Sequence, residues 1–366
     1  MTMRTIHLIA GARPNFMKIA PLYHALKKET WCRPIIVHTG QHYDAEMSDN
    51  FFRDLGMPAP DHDLGVGSGS HGAQTGAVMT EYEKLCMASP PDWVVVVGDV
   101  NSTMAVTIAA KKLCLPVAHL EAGLRSFDRT MPEEINRLVT DAIADLLWTP
   151  SPDADANLIR EGVPAERIER VGNIMIDSLE MLRPRIEAAL VPQRQELGAR
   201  RYGVITLHRP ANVDRQETLT FAVERILELA ATLPLIFPVH PRTRERLGKF
   251  HLLERLQNCP GIRLLPPLGY IEFMNLIFGA AVAITDSGGV QEETTYLGIP
   301  CVTLRPNTER PITVTGGTNR LAAISDLRAT VEETMANPKA RARPPEFWDG
   351  HTASRIVASL RRAAAA

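Results

Sequence analysis

Short runs rich in Val, Ile and Leu alternate with helical stretches from the first residues onward, and this alternation leaves few folds open. Strands that are apolar along their whole length, rather than at every second residue, are buried on both faces. With helices between them they specify a parallel sheet covered on both sides. In the first half such runs lie at residues 5–10, 34–39, 93–97, 117–120 and 146–149, with a short one at 168–171. The second half repeats the scheme at 203–207, 235–239, 262–265, 282–285 and 301–304. A chain of 366 residues suits two α/β units of this kind. The charged stretch 177–201, which contains Val191-Pro192-Gln193-Arg194, marks the boundary. The expected division is residues 1–172 and 173–366, with a C-terminal helix from Ala353 able to pack back on the first domain.

Composition closes off several function classes. With 22% charged residues and a formal net charge of −2, the chain has no basic excess for nucleic acid. No apolar run approaches the roughly 20 residues of a membrane helix. Residues 3–10 flow straight into the first strand instead of forming a secretory signal, so a cytoplasmic protein is expected. The five cysteines are scattered, without a C-x-x-C pair or a histidine at metal-ligand spacing, and read as small buried hydrophobes. No metal site is expected.

In open parallel sheets, ligands bind beyond the carboxyl ends of strands, where helix N-termini favour anions. The chain's distinctive residues follow strands. Gly11-Ala12-Arg13-Pro14-Asn15-Phe16-Met17-Lys18 places an arginine and a lysine at a helix start, although its spacing is not that of a P-loop. Gly98-Asp99, Glu121-Ala122-Gly123 and Pro132-Glu133-Glu134 gather acids at one level of the first sheet. Like charges crowded into a partly desolvated site separate in pKa, so that one carboxyl serves as acid while another stays a base. Glu134 reads more simply as a first-turn helix carboxylate. In the second half, Leu207-His208-Arg209 ends a strand with an imidazole suited to proton transfer or to a diphosphate. Asp286-Ser287-Gly288-Gly289-Val290-Gln291-Glu292-Glu293 opens a helix with two glycines that let backbone amides approach a diphosphate, and Glu293 stands one turn on for ribose hydroxyls.

These segments, joined by Gly40-Gln41-His42, Leu124-Arg125, Ile135-Asn136-Arg137 and Thr308-Glu309-Arg310-Pro311, resemble in order and spacing the motif series of the non-hydrolysing UDP-N-acetylglucosamine 2-epimerases. The resemblance covers most of the chain. It implies an α/β fold of two Rossmann-like, doubly wound parallel-sheet domains facing a central cleft, as in glycosyltransferase-B proteins. It also implies a homodimer and UDP held mainly by the second domain. Carried over by the motifs, the catalytic set is Asp99, Glu121, Glu133 and His208. Binding positions are Arg13, Lys18, Gln41, His42 and Arg137, with Phe273 against uracil, Ser287, Gly288 and Gly289 at the diphosphate, Glu293 at the ribose and Arg310 near the phosphates. The implied partner is a UDP-sugar, with no cofactor.

Such an enzyme inverts C2 of the sugar without a neighbouring carbonyl. The resemblance implies elimination of UDP to 2-acetamidoglucal and re-addition after protonation from the other face. Two departures stand out. Many relatives carry a glutamate and an asparagine shortly after His-Arg, where this chain reads His208-Arg209-Pro210-Ala211-Asn212. Several bacterial members also take a second substrate molecule as activator through glutamine and arginine side chains. Here the corresponding stretches hold Asp44 and the neutral Gly65-Val66-Gly67-Ser68-Gly69-Ser70, so activation is expected to be weak or absent.

Overall fold

The computed structural model describes residues 3–40, 54–199, 201–337 and 343–365. It divides into two compact units, Met1–Met181 with Glu346–Ala366, and Leu182–Pro345.

In unit 1, the strands are β1 (Arg4–Ala10), β2 (Cys32–His38), β3 (His62–Asp63), β4 (Trp93–Val97), β5 (Val117–Leu120), β6 (Leu146–Thr149) and β7 (Ile168–Arg170). They form one sheet in the order β3-β2-β1-β4-β5-β6-β7. Every pairing is parallel. Val94, Val95, Val96 and Val97 are all buried. Each stabilises the fold by about 1.5–3 kcal/mol relative to an exposed side chain, which is why the apolar run without alternation places β4 at the centre. The strand order reverses between β1 and β4, so the loops after these two strands diverge and leave a crevice at their carboxyl ends.

Unit 2 repeats the plan with β8 (Gly203–Thr206), β9 (Leu235–Pro238), β10 (Ile262–Leu265), β11 (Val282–Thr285), β12 (Cys301–Thr303) and β13 (Asn319–Leu321). Their order is β10-β9-β8-β11-β12-β13, again all parallel. Its reversal lies between β8 and β11, whose register pairs Thr206 with Thr285. The fold class is the expected one, two doubly wound parallel sheets. The edge strands β3 and β13 are additions to the expected set; both are short and polar, without the apolar run that marks the interior strands.

The division, expected at residue 172, falls between Met181 and Leu182 within the helix Ile174–Ala188, and the C-terminal helix Thr352–Ala363 belongs to unit 1. Asp177 accepts hydrogen bonds from the Thr352 and Ala353 amides at 3.1 and 2.8 Å, capping that helix. Trp148 Nε1 donates to Ser359 Oγ at 3.0 Å, and Trp348 Nε1 donates to the Pro150 carbonyl at 2.9 Å. The cysteines correct a second expectation. Cys32, Cys86 and Cys301 are buried, but Cys259 is half-buried and Cys114 is exposed, in a left-handed turn (φ 58°) after the helix Asn101–Lys112. Among the described residues no helix is long and apolar enough to cross a membrane, and no cluster of His, Cys, Asp and Glu could hold a metal ion.

Candidate active site

At the crevice of unit 1, three strand-end loops and one helix carry the chemistry. The loop after β1 is fixed by Asn15, whose Oδ1 accepts from the Gly11 and Ala12 amides at 3.1 and 2.9 Å while its Nδ2 donates to the Val97 carbonyl at 3.0 Å. One side chain thus ties the ends of β1 and β4 together. Lys18, one turn into the helix Arg13–Leu26, forms a buried ion pair with Glu121. Glu121 follows β5 with φ 75°, a left-handed conformation that costs a non-glycine residue about 1–2 kcal/mol. Such strain collects at functional sites. Gly98 (φ 65°) ends β4 directly beside this pair: a Cβ there would stand 2.9 Å from Lys18 Nζ and 3.4 Å from Glu121 Oε2. A side chain at position 98 would therefore push the ion pair away from Asp99.

The helix Pro132–Ile143 begins with proline and two glutamates, a composition that suits a helix N-terminus. Its residues hold the rest of the site. Arg137 Nη1 donates to Asp99 Oδ2 at 2.5 Å, while its Nη2 and Nε donate to Glu134 Oε2 at 2.6 and 3.0 Å. Asn136 Nδ2 donates to the Asp99 carbonyl at 2.8 Å. Glu134 also accepts from the Ser126 and Phe127 amides at 3.0 and 2.9 Å. Burial works to raise the Glu134 carboxyl, but the Ser126 amide and the Arg137 guanidinium bring it below the usual range. Glu133, the neighbour, is exposed. Asp99 and Glu133 line one cavity of about 320 Å³ together with Ser68, Gln74, Asn101 and Asn136.

Beneath these groups lies a buried charged brace. His119 Nδ1 is 2.6 Å from Asp141 Oδ1, and its Nε2 is 2.8 Å from the Gly98 carbonyl. Asp141 Oδ2 accepts from the Gly123 amide at 3.0 Å and pairs with Arg125 Nη1 at 2.7 Å. Burial pushes the Asp141 carboxyl up, but His119 first and Arg125 next hold it below the ordinary value. Asp141 therefore fixes both the loop that carries Asp99 and the one that carries Glu121.

Unit 2 offers a different surface. The helix Gly288–Leu297 starts directly after β11, with no acidic residue in its first turn and no side chain capping its amides. Its N-terminus is a ready seat for an anion. Ser287, Gly288 and Gly289 are half-exposed there. A Cβ on Gly288 would stand 2.8 Å from Arg310 Nη1, so glycine is what admits the guanidinium. Arg310 is buried between Glu292 Oε1 (2.9 Å) and Glu309 Oε1 (2.5 Å), and Arg305 Nη2 meets Glu309 Oε2 at 2.8 Å. Glu309 stays well below its ordinary value because Arg310, then Arg305, outweigh its burial. Glu293 accepts from the Tyr270 hydroxyl at 2.7 Å. Burial pushes its carboxyl up to about 8; the Tyr270 hydrogen bond opposes the rise and the Glu292 charge adds to it. Phe273 is half-buried on the helix Tyr270–Gly279.

At the end of β8, His208 is half-exposed and its Nδ1 lies 2.9 Å from Oδ1 of the buried Asp286, the first residue beyond β11. Asp286 also accepts from the His208 and Arg209 amides at 3.0 and 2.9 Å and from Asn212 Nδ2 at 3.1 Å. Burial works to raise Asp286, but His208 foremost, with Arg209 and Asn212, holds it below the usual carboxylate range. Asn212 thus braces the loop after β8.

Of the expected site residues, Lys18, Asp99, Glu121, Glu133 and Arg137 surround the crevice of unit 1, and His208, Phe273, Ser287, Gly288, Gly289, Glu293 and Arg310 belong to unit 2. Gln41 and His42 lie outside the described residues, as does the side chain of Arg13. Asn15, His119, Asp141 and Asp286 were not among the expected residues. Asn15 and Asp286 sit within motif segments and His119 within the apolar run 117–120, but their roles depend on which strands are neighbours.

The UDP-N-acetylglucosamine 2-epimerase family model matches residues 24–361. The chain is 41% identical over 370 residues to the UDP-N-acetylglucosamine 2-epimerase of Methanocaldococcus jannaschii, covering 97% of this chain and 98% of that protein. It is 39% identical over 356 residues to the UDP-2,3-diacetamido-2,3-dideoxy-D-glucuronate 2-epimerase of Pseudomonas aeruginosa, covering 96% and 98%. Among solved structures, the M. jannaschii enzyme in complex with UDP-GlcNAc and UDP is similar with a TM-score of 0.89 at 41% identity, covering 98% of this chain and 99% of the other.

Proposed function

This chain belongs to the UDP-N-acetylglucosamine 2-epimerase family, and on that premise we propose that it interconverts UDP-N-acetylglucosamine and UDP-N-acetylmannosamine. The reaction proceeds by elimination and re-addition of UDP through 2-acetamidoglucal. The observation that carries this reading is the grouping of acids in unit 1: Asp99 and Glu133 line one cavity, and Glu121 packs against the glycine that precedes Asp99. The C2 hydrogen has no carbonyl beside it, so direct removal would leave an unstabilised carbanion. Loss of the C1–O bond in the same process lets the C2–H electron pair form C1=C2 while the C1–O pair leaves on the β-phosphate oxygen. Return of a proton to the opposite face of C2 and attack of that oxygen on C1 complete the inversion. Two proton-transfer roles are needed, and Asp99, Glu121 and Glu133 are the candidates.

UDP is assigned to unit 2, with uracil on Phe273, the ribose at Glu293, and the diphosphate on the Ser287–Gly289 amides near Arg310. His208 meets the charge that develops on the departing oxygen. Preorganised donors of this kind each lower a barrier by roughly 3–4 kcal/mol. Lys18 and Arg137 sit behind the acids, where their ion pairs set carboxylate position. The sugar assigned is the neutral hexosamine; of the acids lining the cavity, Asp99 is matched to Arg137 and Glu133 is exposed.

Product analysis tests the reading. Purified protein given UDP-N-acetylglucosamine is expected to yield UDP-N-acetylmannosamine and to run equally from that side. Free N-acetylmannosamine with UDP would instead mark a hydrolysing 2-epimerase, and binding without any product a sugar-nucleotide sensor. Faster turnover of a UDP-diacetamido-glucuronate would overturn the substrate assignment. The resemblance also implies a homodimer, for which sedimentation should give twice the chain mass.

A further inference from the structure

We propose that Asp286 is the positioning residue that holds His208 in one tautomer, with hydrogen on Nδ1 and Nε2 turned to the diphosphate. The proposal rests on the role given to His208 above and deepens it. The carboxylate of Asp286 is fully buried, and all the partners named for it are donors: two backbone amides, the Asn212 amide and His208 Nδ1. A carboxylate in that setting only accepts, so Nδ1 must carry a hydrogen. The ring's other nitrogen is then the one available for chemistry.

The arrangement arises from the strand order. β8 and β11 are neighbours at the reversal of the sheet, with Thr206 opposite Thr285. The first residue past β11 therefore reaches the loop past β8 and meets the His208 and Arg209 amides together with the imidazole. Asp286 so fixes the backbone and the side chain of His208 at once. When the C1–O bond breaks, the electron pair goes to the β-phosphate oxygen. In its imidazolium form the ring gives the Nε2 hydrogen to that oxygen and is left neutral with its hydrogen on Nδ1; the hydrogen returns to Nε2 when the bond reforms, and the Asp286 carboxylate stabilises the ring while it carries charge. No proton is consumed over the cycle.

Besides Asp286 there are, near the imidazole, the His240 ring, 5.3 Å between centroids, and the Arg209 guanidinium, which donates from Nε to the Asp286 carbonyl at 3.0 Å. His240 accepts the Arg242 amide on its Nδ1 at 3.2 Å, so that ring holds its hydrogen on Nε2. Burial, then the neighbouring His208 and Arg242, lower the His240 pKa despite the opposing Asp286 charge. Two adjacent histidines are thus set in opposite tautomers, His208 by a carboxylate and His240 by a helix amide.

Nitrogen-15 spectra of the histidine rings in the UDP-saturated wild-type protein test this directly. The expected result is a protonated Nδ1 on His208 and a bare Nδ1 on His240. A bare Nδ1 on His208 would overturn the proposal without reference to any variant or to turnover. Asp286→Asn is expected to lower kcat by about 10²–10⁴-fold with little change in KM. In a His208→Ala background the same substitution should cost little more, because Asp286 acts through the ring. An equal further loss in that background would show that Asp286 serves only the fold. Wild-type product formation, measured alongside, judges the epimerase reading separately from the tautomer.

Discussion

The two sheets share one topology and carry different groups at their reversal points. In unit 1 the crevice between β1 and β4 is crowded with acids, three of them matched to two buried cations: Lys18 holds Glu121, and Arg137 spans Asp99 and Glu134. In unit 2 the crevice between β8 and β11 has its buried acid, Asp286, turned inward to brace a loop, and leaves a helix N-terminus open. The difference teaches that the strand order supplies only the place. Whether the place moves protons or holds an anion is decided by which strand end carries a carboxylate and what that carboxylate touches.

The sharpest way to break the contrast is to remove an acid from unit 1. Asp99→Asn or Glu121→Gln is expected to reduce turnover by about 10²–10⁴-fold while UDP affinity, measured by calorimetry, stays within about threefold. An equal loss of UDP affinity would erase the division of labour. The converse substitution is Gly288→Val. Its side chain would meet Arg310 at the helix N-terminus, so UDP should bind roughly tenfold or more weakly, about 1.4 kcal/mol or more, with a smaller change in kcat at saturation.

Smaller effects sharpen the comparison. Arg137→Lys keeps the charge but cannot span Asp99 and Glu134 with a rigid fork. It should destabilise the protein by about 1–2 kcal/mol in chemical denaturation and slow turnover more than it raises KM. Glu293 gives unit 2 a pH signature. Its folded pKa lies near 8, above the unfolded value near 4.5, so the native state binds more protons between the two. Its contribution to stability is full at low pH and declines as pH rises through that window, and Glu293→Gln should flatten the decline in thermal midpoints taken across it. The mildest expectation concerns kinetics. With neutral residues at Ser68 and Gly69 beside the unit 1 cavity, rates against substrate concentration should be hyperbolic; a sigmoidal curve straightened by added substrate would show that activation survives.

Much of this was legible in the sequence, for reasons that particular elements make plain. β4 reads Trp-Val-Val-Val-Val and can hardly be anything but a buried strand. The edge strand β3 is His-Asp, and β13 is Asn-Arg-Leu; neither has an apolar run, and both exist only because a neighbouring strand offers its backbone. Asp99, Glu121 and His208 stood out because each follows an apolar strand. Arg137 was legible as a site residue through its motif, but its three donor nitrogens meet Asp99 and Glu134, a pairing that requires the helix Pro132–Ile143 to lie against the end of β4. Asp141 lay further along the same helix with nothing local to mark it. Its partners, His119 and Gly123, lie outside that helix, and Asp286 is hidden likewise, opening the diphosphate motif in the sequence while its partners lie in the loop after β8.

The central proposal, that acids of unit 1 exchange the proton at C2 of the sugar, is tested most directly in deuterated water. Proton spectra of UDP-N-acetylglucosamine incubated with the protein should show deuterium entering C2 as the manno epimer forms, and Asp99→Asn should suppress that entry while still binding UDP. A manno product that retains its original C2 hydrogen would contradict the account.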